Sequence, residues 1–345
     1  MSLQGGSNDG SVGVDTEDWL QDLELMHHYT HRTSRDQLGS GQRIQRLWQE
    51  LIPKEAVRHP FLMHGILAMA ALHVAYTRPI EAAKYMRLCD KHQASALAQY
   101  RTILPNITED VANALFALAT TLSVSSLANC VVKTINMPEP RHLSMEAVAE
   151  AFMLTRGVRE VTAAASQYIV KGPFAIMLWG YSKPDDAQVT IPESVKCQFA
   201  YVHNMLREHC NDEQLPFCTE ALRHLLEVYE GTIYFLSINN VESGQIWRWT
   251  AMLTPEYIRL VQACFKPALV VLAHFAAITG LLRSMWYIQE WSKWVMEGIH
   301  IALGFDLQAY IIWPQDQLAE SMSALRGRQL NPGDLLTPLT GVTPP

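Results

Sequence analysis

The chain is short of charge, of paired cysteines and of the alternation that sheets require. Only 18% of its 345 residues are Asp, Glu, Lys or Arg, and the balance is acidic, with a formal net charge of -7. A negative chain without a Lys/Arg cluster lacks the counter-charge that phosphate backbones demand, so these residues by themselves make a poor nucleic-acid binder. The six cysteines, Cys89, Cys130, Cys197, Cys210, Cys218 and Cys264, include no CxxC pair. That spacing argues against a structural zinc site or a disulfide framework and for free thiols in a reducing compartment. There is no GxSxG, GxxxxGK[ST], GxGxxG or HExxH, so the nucleophile elbow, the P-loop, the dinucleotide turn and the zincin site are not indicated. No metal and no cofactor is expected. No segment alternates apolar and polar residues between hairpin turns, so essentially no sheet is expected. The opening "MSLQGGSNDGSVGV" is polar and Gly/Ser-rich, without the apolar core of a secretory signal. It reads as a flexible tail.

Long uncharged runs are also few. One apolar run, Pro60 to Thr77 in "HPFLMHGILAMAALHVAYTRP", holds no Asp, Glu, Lys or Arg but includes two histidines. At eighteen residues it sits near the lower limit of a transmembrane helix. Arg58 and Arg78 flank it symmetrically, and Pro60, Gly65, Tyr76 and four alanines dilute it. The second candidate, Pro267 to Leu282, ends at Arg283. His64 and His73 are nine apart, half a turn out of phase at 3.6 residues per turn, and cannot chelate one ion from one helix. The run reads as a helix buried on every face of a soluble core, its small residues admitting close neighbours. No membrane span is expected.

The remainder reads as helices. "TEDWLQDLELMHHYT" offers Thr16 as a cap, and "GQRIQRLWQELIP" is expected to stop at Pro53. "IEAAKYMRLCDKHQASALAQYRTIL" ends before Pro105. "TEDVANALFALATTLSVSSLAN" has Thr108 at its start, with Glu109 and Asp110 in its first turn. "SMEAVAEAFMLTRGVREVTAAASQYI" is expected to be interrupted near Gly157. After the loop "YSKPDDAQVTIP" come "ESVKCQFAYVHNMLREHC", "CTEALRHLLEVYEGTIYFLSI" and "TPEYIRLVQACF", the last with a Thr cap and Pro255 in its first turn. "PALVVLAHFAAITGLLRSMWYI" and "EWSKWVMEGIHIAL" follow. The fold class is all-α, a single multi-helix domain over residues 18–320 with an apolar pocket near the C-terminal helices. Residues 1–17 and 321–345 are expected to be flexible or disordered tails.

Chemistry-bearing clusters are thin. In "ELMHHYTH", Glu24, His27, His28 and His31 strung along one helix do not converge easily on one ion. Asp185 and Asp186 in "PDDAQ" lack the further carboxylates of a cation site and read as a solvated turn. "REHCNDEQLPFC" places His209 and Cys210 near Cys218, where inert cysteines are commoner than a Cys–His dyad. The positive signal is aromatic. Trp286, Tyr287, Trp291, Trp294 and Trp313, with Phe275, Met285 and Met296, crowd about forty residues, well above average usage. If the helix runs on, Tyr287, Trp291 and Trp294 share a face. Core packing explains such a stripe, and so does the wall of an apolar ligand pocket with His274, Thr279 or Ser284 as polar anchors. The second reading makes Phe275, Ile278, Leu282, Met285 and Trp286 the wall. His274 is then the partner of a lone ligand hydroxyl.

The order of "DLELMHHYT", "HPFLMHGILAMAALHVA", "DKHQASALAQYR", "NALFALATTLSV", "LTRGVREV…GPFAIML", "PALVVLAHFAAITGLL…WYIQEWSKWVMEGI" and "YIIWPQDQL" resembles the C-terminal regulatory domain of fungal zinc-cluster transcription factors, the sterol uptake control group above all. The resemblance covers about residues 18 to 320. It implies an all-α domain that binds a sterol-like apolar molecule, sometimes as a homodimer, in a protein of the nucleus that shuttles with the cytoplasm. It also implies that DNA is read only through an N-terminal zinc cluster, which no residues before 18 supply. The chain is therefore expected to be either a regulatory domain or a family member without a DNA reader, and not an enzyme. Two alternatives stay open: a cyclase-type enzyme acting on apolar metabolites, for which only Glu290 and Glu297 offer carboxylates nearby, and a protein–protein interaction domain without ligand.

Elemental analysis of the dialysed protein is expected to find no stoichiometric zinc. About one zinc per chain would return attention to Glu24, His27, His28 and His31.

Overall fold

Two helices that are apolar on all sides have to be covered on all sides, and they organise the architecture of the computed structural model. The structure describes residues 12–36, 41–179, 183–184 and 187–324. The loop carboxylates Asp185 and Asp186 and the tails 1–11 and 325–345 lie outside it. Among the described residues there is no strand.

The first layer comprises α1 (Val12–His28), α2 (Gln42–Arg46), α3 (Ile52–Arg58), α4 (Pro60–Thr77), α5 (Ala82–Ile103) and α6 (Glu109–Ile135). Pro60 opens α4 at a position where no N–H is needed. Thirteen of the helix's residues, Phe61, Leu62 and Gly65 to Ala75, are buried. α5, α6, α1 and α3 pack around it. Its histidines are partnered: His64 Nδ1 lies 3.0 Å from His92 Nδ1, and His73 Nδ1 lies 3.1 Å from Thr33 Oγ1. By length and composition alone, Pro60–Thr77 and Glu109–Ile135 could each cross a membrane, as could the bent pair Pro255–Gln262 and Lys266–Leu282 taken together. The apolar windows of the first two are 72% and 67% buried inside the chain, so their apolarity is accounted for by packing. The α6 window is an addition to the two runs singled out in the sequence.

α7 (Met145–Ile169) pairs with α6, and the short α8 (Ile176–Trp179) follows. Ser144 caps α7, its Oγ accepting from Ala147 N at 3.2 Å. The second layer is α9 (Glu193–His209), α10 (Leu215–Ser237), α11 (Ser243–Met252), α12 (Pro255–Gln262), α13 (Lys266–Thr279), α14 (Trp291–Leu303) and α15 (Ile312–Ala324). α13 is its axis, buried from Pro267 to Thr279 and packed against α14, α15, α10, α9 and α12. Thr254 and Pro255 start α12 as their order implies, with Thr254 Oγ1 accepting from Tyr257 N.

Several boundaries differ from the sequence expectation, each for a physical reason. α1 begins at Val12, ahead of Thr16, because extending a nucleated helix by one turn costs little. Pro53 does not end its helix. The chain passes through a π-helical turn, Leu47–Leu51, and Pro53 becomes part of the first turn of α3. Ile52 N donates to Leu47 O, so the next carbonyl, Trp48 O, would need Pro53 as donor. Tyr29 Oη donates there instead, at 3.0 Å. Gly157 does not interrupt α7, since one glycine costs only about 1 kcal/mol in a long packed helix. The expected helix from Pro267 to Tyr287 ends at Thr279, and a tight turn, Gly280–Leu282, redirects it, so Tyr287 does not share a helix face with Trp291 and Trp294. α11 was not anticipated, and α15, over the "YIIWPQDQL" stretch that resembles the family's final helices, reaches Ala324.

Two glycines make opposite tests of this packing. A Cβ on Gly298 would stand 2.1 Å from Leu143 O, where the 138–144 connection is tied to α14 by Leu143 N donating to Trp294 O. A Cβ on Gly157 would meet nothing within 4 Å. Thermal unfolding is expected to show Gly298→Ala clearly destabilised, whereas Gly157→Ala gains up to about 1 kcal/mol through helix propensity. A tolerated Gly298→Ala would contradict the α14 contact.

Candidate functional site

A cavity of about 510 Å³ opens where α6, α7 and α11 diverge. From α6 come Phe116, Thr120, Ser123, Val124 and Leu127, and from α7 come Thr155, Val158, Arg159 and Thr162. Both sets recur at three- and four-residue steps, so each is a single stripe along its helix. α11 contributes Trp247, Arg248, Ala251 and Met252, while Trp48, Met177 and Tyr287 complete the apolar wall. The volume falls within the usual range for small-molecule sites, roughly 300–1,000 Å³.

The polar groups in the wall are mostly satisfied by the protein. Thr120 Oγ1 donates to Phe116 O at 3.0 Å and Thr162 Oγ1 to Val158 O at 2.7 Å, the usual back-bonding of a helical threonine. Ser123 Oγ and Thr155 Oγ1 lie 2.9 Å apart and tie α6 to α7. Tyr287 Oη lies 3.0 Å from Ser243 Oγ and 3.2 Å from Met285 Sδ. Burial pushes the Tyr287 phenol well above its ordinary value, so it stays protonated. When that proton goes to Ser243, the serine hydroxyl keeps its own proton to offer. α11 is held at its start by Glu242, which is 4% exposed and forms a reciprocal capping box with Gln245 while also accepting from Gly41 N. Among the ionisable groups in the lining, His224 is engaged by its neighbours on α10: Nε2 accepts from Arg223 Nη2 at 3.0 Å and Nδ1 lies 3.4 Å from Glu227 Oε2, with Glu220 Oε1 3.6 Å from Nε2.

All six residues selected from the sequence are buried. None lines this cavity, nor the cavities of about 350 and 670 Å³ elsewhere. His274 is 0% exposed, with Nδ1 2.8 Å from Val270 O and Nε2 3.0 Å from Gln198 Nε2. A carbonyl only accepts, so the proton sits on Nδ1 and Nε2 accepts from Gln198. Burial lowers its pKa to about 4, against the opposing effect of the Val270 hydrogen bond, and the neutral ring has no open valence for a ligand. Phe275 stacks on Trp249 at 4.4 Å between ring centroids, and Ile278 and Leu282 are core. Phe275 nevertheless backs the cavity-lining Trp247 at 5.2 Å, Met285 accepts from Tyr287, and Trp286 lies 5.9 Å from Tyr287. Three of the six thus stand one layer behind the wall. Trp286 also stacks on His73 at 4.5 Å, joining the two halves of the fold. The wall itself was missed. Its sequence signal is a run of Ser and Thr at helical spacing in otherwise apolar helices.

The other clusters do not assemble a centre. His27 and His31 stack on each other at 4.4 Å, His28 faces His73 at 5.0 Å, and Glu24 accepts from Tyr85 Oη at 2.7 Å. Among the described residues no group of three or more His, Cys, Asp or Glu could hold a metal ion. Cys210 and Cys218 share a hydrogen bond, and both are free thiols.

Residues 24–134 match the family described as the fungal specific transcription factor domain. A Gibberella zeae protein named Zn(2)-C6 fungal-type transcription factor is 26% identical over 296 residues, covering 83% of this chain and 59% of that protein. Sterol uptake control protein 2 of Candida albicans is 38% identical over 121 residues, 35% of this chain and 16% of that protein. The Aspergillus fumigatus protein named Zn(2)-C6 fungal-type transcription factor afumD is 28% identical over 166 residues, 48% of this chain and 42% of that protein. The chain therefore spans at most 59% of the length of these relatives. Residues 24–134 thus match a fungal specific transcription factor domain, and over much of its length the chain is similar to fungal proteins named as Zn(2)-C6 transcription factors.

Proposed function

We propose that this domain senses an apolar, sterol-like small molecule, which it binds in the α6–α7–α11 cavity. The observation that carries the reading is the cavity itself: about 510 Å³, walled by Phe116, Val124, Leu127, Val158, Trp247 and Met252, with its threonines bonded back to their own helices. Such a wall favours an apolar body. A single ligand hydroxyl would meet the Ser243–Tyr287 pair, since an oxygen buried without a partner is costly. The matched family domain supplies the α6 wall, and the name of the Candida albicans relative supports the ligand class. A sensing role fits better than a catalytic one, because the imidazole in the lining is held by its own helix neighbours, Nε2 by Arg223 and Nδ1 by Glu227. In the whole protein, DNA contact through a separate zinc cluster, residence in the nucleus and self-association as a homodimer belong to the same reading.

Trp48 and Trp247 line the cavity, so their fluorescence reports occupancy directly. Ergosterol is expected to change that fluorescence saturably in the parent domain and to be recovered unchanged. The double variant Val124→Phe, Val158→Phe should lose the response while remaining folded, because the added bulk enters open space. Ile278→Trp, at a position only 3% exposed, should instead lower stability by about 1–3 kcal/mol by overpacking the core. A parent without response, full binding by the double variant, or a chemically altered sterol would each contradict the proposal.

A further inference from the structure

The cavity of about 350 Å³ between α5, α6 and α7 takes no part in the reading above. It lies end to end with the first along the α6–α7 pair. The first is lined from α6 by residues 116–127, the second by 122–134. Where the two linings meet, Ser126 Oγ donates to Ser123 O at 2.7 Å and Ser123 Oγ lies 2.9 Å from Thr155 Oγ1.

The chemistry of the second cavity is distinct. Leu97, Leu122, Ala147 and Leu154 give it apolar walls, and its Ser126 hydroxyl is already committed. Asn129 also lines it, and Asn129 Oδ1 is buried without a donor. An acceptor left in that state is costly, and the partner it lacks is an O–H or N–H. The lining contains one lysine and one glutamate, Lys133 and Glu150, whose charges offset each other, so neither an anionic nor a cationic head group is favoured. We propose that this cavity is a second small-molecule site, which takes a neutral apolar alcohol whose hydroxyl donates to Asn129. The inference is independent of what occupies the first cavity.

Cys130 provides a local reporter, since it lines this cavity and no cysteine lines the first. Burial raises its thiol to about 11, with Lys133 opposing, so maleimide labelling is slow and sensitive to occupancy. Cys197 and Cys264 are exposed and serve as internal controls. The experiment follows N-ethylmaleimide labelling of each cysteine by peptide mass spectrometry, with 1-decanol, decyl methyl ether or decanoate added to the domain. Decanol is expected to slow Cys130 labelling several-fold and leave Cys197 and Cys264 unchanged, while the ether and the carboxylate protect less. In Asn129→Leu the advantage of the alcohol over the ether should vanish. Leu154→Trp, at a half-exposed rim position, should remove protection without unfolding the domain. The Val124→Phe, Val158→Phe variant, altered only in the first cavity, should keep it. No protection by decanol, equal protection by ether or decanoate, an undiminished preference in Asn129→Leu, or loss of protection in the first-cavity variant would each overturn the assignment.

Discussion

The requirement that α4 and α13 be covered on every face is the constraint on which the rest of the structure depends. A surface helix hides one stripe, whereas these two offer no polar side to solvent and must be enclosed. α4 is enclosed by α5, α6, α1 and α3, and α13 by α14, α15, α10, α9 and α12. The α6–α7 pair links the two bodies, with α7 reaching α11 and α12. The Trp286–His73 stack and the hydrogen bond from Tyr76 to Gln289 fasten the C-terminal turn directly to α4. His73 is fully enveloped in this junction, and burial lowers its pKa to about 3, helped by the nearby His28 and Arg32. The aromatic rings therefore serve first as mortar between the two halves.

The cavities arise where that enclosure is incomplete. Along α6 and α7 the stripes facing the gaps intersperse small or hydroxylated residues among the apolar ones: Thr120, Ser123, Thr155 and Thr162 in one cavity, Ser126 and Ala147 in the other. Large aliphatic side chains there would have filled the space. Space remains at those positions, and a ligand that completes such a wall stabilises the folded form by mass action. Because α6 and α7 border both voids and also carry the contacts between the two bodies, occupancy of either bears on the same helix pair.

Much of the architecture was legible in the chain before the structure. The apolar run Pro60–Thr77, the Thr254–Pro255 start and the absence of alternating strand patterns all carried over, because periodicity, caps and burial act locally. The departures have tertiary causes. Pro53 is accommodated because Tyr29 satisfies the stranded Trp48 carbonyl from nineteen residues away in sequence. Likewise, α13 stops at Thr279 so that the following turn can bring Trp286 onto α4. The candidate site shows the same divide. Aromatic density drew attention to Phe275, Met285 and Trp286, yet an aromatic side chain announces a large volume to be packed, not an opening. His274 is identifiable as a buried polar residue, but only the position of Gln198, 76 residues away in sequence, decides that both ring nitrogens are used.

The sequence by itself therefore determined the all-helical class, the two helices that must lie inside and the scarcity of catalytic groups, since each follows from the composition and spacing of neighbouring residues. The tertiary structure alone decided where space remains. A void is defined by side chains from helices distant in sequence that fail to meet, as Ser123, Val158 and Trp247 do. No local pattern records a contact that is not made.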